Sequence, residues 1–580
     1  MRWSGCARWV ALAWMALTGH AAVAAPAAEL NWALQAWGPA VAEATPGRGC
    51  PELPGASPLY YAKTSMPTGS GAELIVPTVL KPGHAYEFSF SVMSPKSKGP
   101  VPLDFFFRKD SPYYDTGAIR LIQATDKWQR FSLRGVYGGP GTGSVRLDLR
   151  TLGTAVCVAQ PLLTELRAQD VGGDGEARPV SDHFFGVHLN RLGRHNSWPE
   201  FEPDVVRLWD SGTTWHFLQP DNEAIDWRRN PSAQRLEYMS KFVVSRGRRS
   251  ELIMNLGMTP PWAGRKVADN PCAGNGYGVG TCLPPADMAS WRSFVRTLVT
   301  RYKDRMAIWE IWNEADVPMH WGGSMQDLVD LTRAASEEIR KVQPNAVVIG
   351  PNVTAIGMRF LHDFLVAGGG KYVDAVSVHT YLARAPGESG TAIRNLRELL
   401  KHLGMADKPI WNTEANTSCG VTGPQDQLLS RAPCDLSKSE GIAQAYLMQA
   451  ALGVQNISFY TWEGIGTEYG GSGLVQADYE TPTAEGRTMQ SLVDLMRGAT
   501  VREIRPATPG VDMVELVRDK QACRAFWSHT GQTLVLNEPD MRTGWERSKS
   551  WPADRASLDE PGKTRVSNWP AVWCKPLPKS

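Results

Sequence analysis

Two glutamates follow apolar, strand-like segments that contain tryptophan. Glu314 comes directly after the run Ile-Trp-Glu-Ile-Trp-Asn at 308–313, and Glu414 comes after Ile-Trp-Asn-Thr at 410–413. The carboxyl ends of parallel strands lie at the same edge of a sheet, so both carboxylates are expected to face one cleft. Cleavage of a glycosidic bond requires such a pair, because one acid protonates the leaving oxygen and one carboxylate meets the developing positive charge.

The segment from 181 to 500 alternates predicted strands with predicted helices, which indicates a parallel sheet. The predicted strands are 184–188, 205–209, 252–256, 307–312, 346–350, 375–379, 409–413 and 457–461, and the helices between them include 287–301, 325–342 and 393–403. Eight strand–helix units are typical of a (β/α)8 TIM barrel, in which Glu314 would follow the fourth strand and Glu414 the seventh. A doubly wound sheet fits less well, because its Gly-rich first turn is absent.

Predicted β structure flanks the barrel on both sides. Residues 26–170 alternate apolar and polar side chains and lack a clear amphipathic helix, which predicts a two-sheet β-sandwich. The Gly-rich polar stretch 171–180 is predicted to be a linker. Further strands after residue 500 indicate a small C-terminal β domain over 501–580. The expected fold class is therefore multi-domain: a (β/α)8 TIM barrel with an N-terminal β-sandwich and a small C-terminal β domain.

The first 25 residues have the pattern of a signal peptide. Arg2 and Arg8 precede a short apolar run at 10–17, and the small residues at 21–25 offer a cleavage site. The apolar run is too short to span a bilayer, and no later run resembles a spanning helix. We therefore expect a secreted or periplasmic protein without an integral membrane segment after signal removal.

Eight cysteines remain once Cys6 leaves with the signal, and an even number in a secreted chain indicates disulfides. Pairing of neighbours within each domain predicts Cys50–Cys157, Cys272–Cys282, Cys419–Cys434 and Cys523–Cys574, although other pairings stay open. The second and third of these pairs would each staple a loop at the rim of the barrel.

The composition excludes several classes of protein. The chain has 61 basic and 59 acidic residues, and the difference comes from the two arginines of the signal, so the mature chain lacks the net basic charge of a nucleic-acid binder. Motifs for a serine-hydrolase elbow, a phosphate loop or a zinc helix are absent, and the 11 histidines show no metal spacing. We expect no nucleic-acid partner, no metal, no cofactor and a monomer.

The Trp-Asn-Glu form at Glu314 and the Trp-Asn-Thr-Glu form at Glu414 resemble the clan A (β/α)8 retaining glycoside hydrolases, and are most similar to glycoside hydrolase family 39. The resemblance covers about residues 181–500. It implies that Glu314 is the general acid/base and Glu414 the nucleophile. Retention of configuration would place their carboxyl groups about 5–5.5 Å apart.

The resemblance also implies roles for other residues. Arg207 would hydrogen-bond the nucleophile, His379 and Tyr381 would lie near it, and Asn313 would contact the sugar 2-hydroxyl. Two tryptophans, Trp462 and Trp262, are further candidates for substrate binding, the first as a stacking platform. The third strand departs from the pattern because it lacks a histidine that many clan members have there. Glu310 precedes the top of its strand and is expected to form an internal salt bridge.

The N-terminal sandwich weakly resembles jelly-roll carbohydrate-binding modules. The candidates to stack on sugar are Tyr60, Tyr61, Tyr113, Tyr114 and the run Phe105–Phe107, for which core packing is favoured. The sequence therefore predicts a secreted retaining glycoside hydrolase with a polysaccharide or oligosaccharide substrate. We expect endo-action on a bacterial exopolysaccharide or a plant β-glycan. The alternatives are an exo-acting β-xylosidase and a non-catalytic polysaccharide-binding scaffold.

Overall fold

The structure is a computed structural model. It describes residues 30–95, 99–110, 116–138, 141–246, 251–266, 272, 277–381, 385–416, 435–464, 473–541, 543–552 and 564–577. The expected signal peptide at 1–25 and the expected pair Cys419–Cys434 lie outside these residues. Among the helices in the described ranges, none combines the length and apolar character needed to cross a bilayer.

The N-terminal part is a sandwich of two five-stranded antiparallel sheets, ordered β1-β4-β9-β6-β7 and β2-β3-β10-β5-β8. Its strands are β1 Ala33–Trp37, β2 Val41–Pro46, β3 Leu59–Ser65, β4 Gly71–Leu80, β5 Ala85–Met93, β6 Val101–Lys109, β7 Thr116–Ala124, β8 Gln129–Val136, β9 Gly143–Leu149 and β10 Thr154–Leu166. Phenylalanines of β5 and β6 fill the space between the sheets. Tyr61 is fully buried and Tyr60 nearly so. The prediction that these two rings could stack on sugar is therefore wrong, because protein atoms already cover them, and Phe105–Phe107 are buried in the core as favoured. Tyr113 and Tyr114 lie outside the described residues.

A closed eight-stranded parallel barrel follows the two-residue strand β11 Arg178–Pro179. Its strands are β12 Phe185–His188, β13 Val205–Leu208, β14 Glu251–Leu256, β15 Ile308–Ile311, β16 Val347–Thr354, β17 Ala375–His379, β18 Ile410–Ala415 and β19 Val454–Phe459. The barrel strands are almost wholly buried, because helices cover the outer face and side chains fill the interior. All eight predicted strands are present in the predicted order, so the TIM barrel is confirmed.

The described helices are α1 Trp215–Leu218, α2 Pro231–Arg246, α3 Met288–Tyr302, α4 Met325–Val342, α5 Met358–Val366, α6 Thr391–His402, α7 Lys438–Ala451 and α8 Ala484–Met496. The start of α4 shows why helices begin where they do. Ser324 accepts a hydrogen bond from the Asp327 N–H, and the Asp327 side chain accepts one from the Ser324 N–H. This capping box pairs two N–H groups that the first turn of a helix would otherwise leave without partners.

The C-terminal part is an antiparallel sheet packed on the barrel, ordered β11-β20-β21-β22-β26-β24, with a separate pair β23-β25. The strands are β20 Thr500–Ile504, β21 Val511–Arg518, β22 Gln521–Ser528, β23 Leu534–Leu536, β24 Glu546–Arg547, β25 Thr564–Val566 and β26 Ala571–Pro576. The stretch predicted as a linker ends in β11, which pairs with β20. At its start, the buried Val171 accepts a hydrogen bond from Arg394 of α6 at 3.0 Å. The chain between the sandwich and the barrel is thus held by α6 of the barrel at its start and by β20 of the C-terminal sheet at its end.

The sandwich is fixed to the barrel by polar contacts as well as by packing. Strands β7 and β8 lie against α5 and α6. The Asn395 amide of α6 exchanges two hydrogen bonds with the backbone of Val136, at 2.8 and 2.9 Å, and all these groups are buried. Arg359 of α5 donates to Asp148 of β9 at 2.8 Å. The sandwich and the barrel therefore share a specific interface next to the rim at which β16 and β17 end.

Three of the expected disulfides are present. Cys50 is bonded to Cys157, Cys272 to Cys282 and Cys523 to Cys574. The first ties the connection between β2 and β3 to β10, and the third joins β22 to β26 in the C-terminal sheet. The second closes a short loop within the long connection between β14 and α3.

Candidate active site

The two glutamates singled out in the sequence meet at the carboxyl-terminal end of the barrel. Glu314 follows β15 and Glu414 is the second-to-last residue of β18, with side chains that are 13% and 7% exposed. One oxygen of each carboxylate and one ring nitrogen of His379 all lie within 4.8 Å of one another. The barrel thus brings two nearly buried carboxylates together where TIM barrels hold their catalytic groups.

A left-handed turn aims Glu314 into the cleft. Trp312 has φ +66° and Glu314 has φ +43°, values that side-chain-bearing residues adopt at an energetic cost. Asn352 of β16 holds this turn, since its amide oxygen accepts from the Glu314 N–H and its NH₂ group donates to the Trp312 carbonyl. The neighbouring strand therefore fixes the position of Glu314.

Arg207 is the fully buried cation of the site. Its Nε donates to Glu310 Oε2 at 2.7 Å, and its Nη1 donates to Glu414 Oε2 at 2.9 Å. Its Nη2 donates to the amide oxygen of Asn313 at 2.7 Å. A buried charge is tolerated when it is paired in this way. The internal salt bridge expected for Glu310 is confirmed, and Arg207 makes the contact with Glu414 that the resemblance implied.

Glu414 has a partner on each oxygen. Tyr381 donates its hydroxyl to Oε1 at 2.7 Å, and Arg207 occupies Oε2. Burial is the largest influence on this carboxyl and raises its pKa, and the negative charge of Glu314 adds to the rise. Arg207, Tyr381 and His379 act in the opposite direction without cancelling it.

Two histidines flank Glu314. His379 Nδ1 lies 2.9 Å from Glu314 Oε1, and His320 Nδ1 lies 3.5 Å from Oε2. Burial by itself would raise the pKa of Glu314, but the two rings outweigh it and hold the pKa below its usual range. In the substrate-free site, the carboxyl expected to donate a proton is therefore the one held as an anion. The proton that Glu314 would give to the leaving oxygen must therefore come from another group.

An aromatic wall stands beside the carboxylates. The Trp209 and Tyr277 rings lie 5.2 Å apart between centroids, and each lies within 6.3 Å of the His320 ring. Asp210 anchors this wall, because it accepts hydrogen bonds from the hydroxyls of Tyr277, at 2.6 Å, and Tyr460. Burial raises the pKa of Asp210. Tyr277 belongs to the loop that the Cys272–Cys282 disulfide closes, so this loop contributes to the site.

The two tryptophans predicted to bind substrate make their described contacts with neighbouring protein groups. Trp462 is 3% exposed, and its indole N–H donates to the Ser197 hydroxyl at 2.8 Å. Trp262 is partly buried, packs edge-on against Trp215, and donates to the Gln219 carbonyl at 2.9 Å. None of the described contacts of either ring is with Glu314 or Glu414. The carboxylates, Arg207, Asn313, His379 and Tyr381 form one cluster of contacts, while substrate binding by these two indoles stays a prediction.

Sequence reasoning missed His320, Asp210, Tyr277 and Asn352. Asp210 had a signal available, because it comes two residues after the end of β13 and three residues after Arg207, at the end of the barrel where sites are built. His320 and Tyr277 lie in loops, and their positions depend on how those loops fold back. No periodicity in the sequence marks them.

Glu314, His379 and Glu414 are spaced closely enough to offer ligand atoms to a metal ion. Their atoms already have protein partners, however. Arg207 and Tyr381 donate to Glu414, and a His379 nitrogen lies at hydrogen-bond distance from Glu314. The hydrogen bonds therefore favour a site that works with protein groups alone.

A family model described as glycosyl hydrolases family 39 matches residues 274–434, the segment that contains both Glu314 and Glu414. The chain is 25% identical over 193 residues to a β-xylosidase of Geobacillus stearothermophilus, a match that covers 28% of this chain and 38% of that protein. It is 22% identical over 285 residues to a β-xylosidase of Caldicellulosiruptor saccharolyticus, covering 43% and 55%. The matches thus span 38% and 55% of the lengths of these relatives.

Solved structures of similar shape include a family 39 glycoside hydrolase from the gut symbiont Bacteroides cellulosilyticus WH2, with 14% identity, a TM-score of 0.49, and coverage of 83% of this chain and 95% of that one. Another is the family 39 enzyme from Xanthomonas axonopodis pv. citri, with 16% identity, a TM-score of 0.45, and coverage of 70% and 96%. The family and sequence matches confirm the resemblance to clan A retaining glycoside hydrolases, and to family 39 in particular.

Proposed function

We propose that this relative of the family 39 glycosyl hydrolases is a retaining glycoside hydrolase. The observation that carries the proposal is the pair Glu314 and Glu414, whose nearest oxygens lie within 4.8 Å at the top of the barrel. Retaining enzymes hold their carboxyl groups about 5–5.5 Å apart, whereas inverting enzymes need about 6.5–9.5 Å to admit a water molecule. The short separation supports double displacement.

In the first step, Glu414 attacks the anomeric carbon while Glu314 gives a proton to the leaving oxygen. Arg207 and Tyr381 orient the two oxygens of Glu414, and they favour its anionic form against the effect of burial. The product of this step is a glycosyl ester on Glu414. The released oxygen leaves with the proton from Glu314.

In the second step, Glu314 acts as a base. It takes a proton from a water molecule that attacks the same anomeric carbon, and the ester bond to Glu414 breaks. Glu414 leaves as a carboxylate, to which Arg207 donates at 2.9 Å. Two inversions at one carbon give net retention of configuration.

Asn313 is the residue proposed to recognise the sugar 2-hydroxyl. Arg207 donates to its amide oxygen at 2.7 Å, which fixes the amide orientation and leaves the NH₂ group as the donor for a sugar hydroxyl. A hydrogen bond to the 2-hydroxyl that strengthens in the transition state would lower the barrier to both steps.

The substrate is proposed to be a polysaccharide cut internally, a bacterial exopolysaccharide or a plant β-glycan. The added sandwich and the stapled loop beside the site support a polymeric substrate. The competing candidate is an exo-acting β-xylosidase, which the two β-xylosidase relatives favour. The signal pattern and the disulfides support secretion or a periplasmic location. We propose that the chain acts as a monomer.

The test is product analysis on a panel of bacterial exopolysaccharides, plant glycans and aryl β-glycosides, with wild type compared with Glu414→Gln. Oligosaccharides released by wild type alone would support endo-action and name the polymer. Release of single xylose units would favour the exo-acting candidate. If polymers were bound equally by both proteins and cut by neither, the non-catalytic scaffold would replace the enzyme.

A further inference from the structure

His320 is a nearly buried imidazole whose surroundings hold it beside Glu314. Its side chain is 13% exposed, and its Nδ1 lies 3.5 Å from Glu314 Oε2. Trp209 and Tyr277 contact the ring, and the His320 carbonyl accepts from the indole N–H of Trp312 at 2.8 Å. These contacts hold both the imidazole ring and the backbone of His320, so the folded structure keeps the ring next to Glu314.

The loop that carries His320 also contacts the loop closed by the Cys272–Cys282 disulfide. The Gly322 N–H donates to the Cys282 carbonyl at 2.9 Å. The segment that carries His320 is thus tied to the disulfide that closes the loop bearing Tyr277. The position of the imidazole depends on this loop as well as on β15.

The charges around the ring favour the imidazolium form. Burial would lower the pKa of His320, but the carboxylates outweigh it and the pKa lies above its usual range. Glu314 has the largest of these effects, followed by Glu414 and Asp210. The other titratable or charged groups of the site that face this region are Arg207, His379, Tyr277 and Tyr381.

The other flanking histidine is less suited to exchange protons. His379 is fully buried, and its Nε2 lies 3.1 Å from the Thr413 hydroxyl while its Nδ1 faces Glu314. Both of its nitrogens therefore have partners inside the barrel. His320 Nδ1 is buried and makes no hydrogen bond within the described residues, so the 3.5 Å ion-pair contact with Glu314 leaves it available to that carboxylate.

We propose that His320 is a positioning residue that stores the catalytic proton in the substrate-free site and returns it to Glu314 when a sugar binds. This inference rests on the proposed glycosidase function. It explains how Glu314 can be an anion at rest and still act as the acid. The 3.5 Å separation is an ion-pair distance, and contacts of this kind often shorten once substrate is bound.

The proton balance closes over one turnover. At rest the proton is on His320 Nδ1 and Glu314 is a carboxylate. When substrate binds, the N–H bond breaks and an O–H bond forms on Glu314 Oε2, which leaves a neutral imidazole and a neutral acid. The acid proton then passes to the leaving oxygen, which keeps the electron pair of the broken C–O bond. In the second step Glu314 removes a proton from the attacking water and returns it to His320.

A titration without substrate tests the resting pair. We would label the histidine imidazoles with ¹⁵N and follow them by NMR in wild type, in Glu314→Gln, and in His320→Gln, which assigns the signal. In wild type, His320 should titrate above the usual histidine value of about 6.5. In Glu314→Gln its midpoint should fall by about one pH unit or more, since the main stabilising charge is gone. An unchanged midpoint would overturn the proposal.

Leaving-group dependence tests proton return. On a phenyl glycoside, which needs an acid, His320→Gln should lower kcat about 10- to 100-fold, whereas on the 2,4-dinitrophenyl glycoside the loss should stay under about threefold. The alkaline limb of the phenyl profile should move to lower pH. His402→Gln, a half-buried histidine of α6 remote from the site, is the matched control and should change neither rate.

Equal losses on both glycosides with an unmoved alkaline limb would indicate a merely structural role and overturn the proposal. The proposed function fails in a different way. If wild type hydrolysed no glycoside at all, the glycosidase would be refuted, while the ¹⁵N titration would still decide whether His320 and Glu314 share a proton.

Discussion

The hydroxyl of Tyr381 donates to Oε1 of Glu414 at 2.7 Å, the carboxylate oxygen that Arg207 leaves free. The tyrosine follows β17 and the glutamate lies in β18, so the contact joins two neighbouring strand ends. Burial keeps Tyr381 protonated by raising its pKa well above the usual range. It is therefore a permanent donor to the proposed nucleophile.

Removing that donor should slow the reaction. For Tyr381→Phe we expect kcat to fall about 10- to 150-fold, because a hydrogen bond to a charged group contributes about 1.5–3 kcal/mol. The control is Tyr446→Phe, since the Tyr446 hydroxyl of α7 is buried and has no hydrogen-bond partner within the described part of the chain. That variant should keep wild-type kcat. Equal losses in both variants would show that Tyr381 acts through packing.

Arg207 should be essential for stability as well as for activity. Arg207→Met leaves Glu310 and Glu414 buried without their cation, and breaking a buried pair in this way costs about 3–5 kcal/mol. Burial would raise the pKa of Glu310, but Arg207, together with smaller contributions from neighbouring groups, lowers it. The pair therefore stabilises the fold above the ordinary glutamate pKa and loses this effect as pH falls. Urea unfolding should show a gap between variant and wild type that narrows in acid. A pH-independent gap would contradict the charge argument.

The pH profile of kcat/KM should be bell-shaped. Activity should fall as pH drops through the raised pKa of Glu414, because the nucleophile must be an anion, and should fall again as pH rises through the raised pKa of His320. The two apparent values belong to the coupled cluster rather than to single residues. In Tyr381→Phe the acid limb should move to higher pH, since the tyrosine lowers the pKa of Glu414. A shift to lower pH would contradict this assignment.

The docking of the sandwich should depend on Asn395. Asn395→Ala leaves the N–H and carbonyl of Val136 buried and unpaired, which costs about 1–3 kcal/mol for each group. Thermal or urea unfolding measures the loss. Gln490→Ala on α8 removes an exposed hydrogen bond to Asp494 and should cost under about 0.5 kcal/mol, as surface changes generally do. Similar losses in both variants would mean that the interface is not held by this amide.

The sequence was sufficient to predict the barrel because its strands are short apolar runs separated by amphipathic helices. That pattern can be recognised in a single sequence, and it placed Glu314 and Glu414 at strand ends. Arg207 and Tyr381 lie in or shortly after strands, but they were singled out through the resemblance to clan A hydrolases rather than through this pattern. The strand order decides which of these ends become neighbours.

Loop residues could not be predicted in the same way. His320 reaches Glu314 because its loop folds back under Trp312, and Tyr277 reaches Asp210 because a disulfide closes its loop. Neither event leaves a periodic mark. The burial of individual aromatic residues could not be predicted either. The sequence does not show whether a second sheet covers a residue such as Tyr61, which is fully buried in the structure.

The most direct test of the account is to trap the glycosyl-enzyme. Wild type and Glu414→Gln would be incubated with 2,4-dinitrophenyl 2-deoxy-2-fluoro-β-glycosides of the sugars that wild type hydrolyses, and the proteins analysed by intact mass and peptide mapping. We predict that wild type gains one sugar on the peptide that contains Glu414 and that Glu414→Gln gains none. A sugar attached to another residue, or products with inverted anomeric configuration by NMR, would contradict the assignment of Glu414 as the nucleophile.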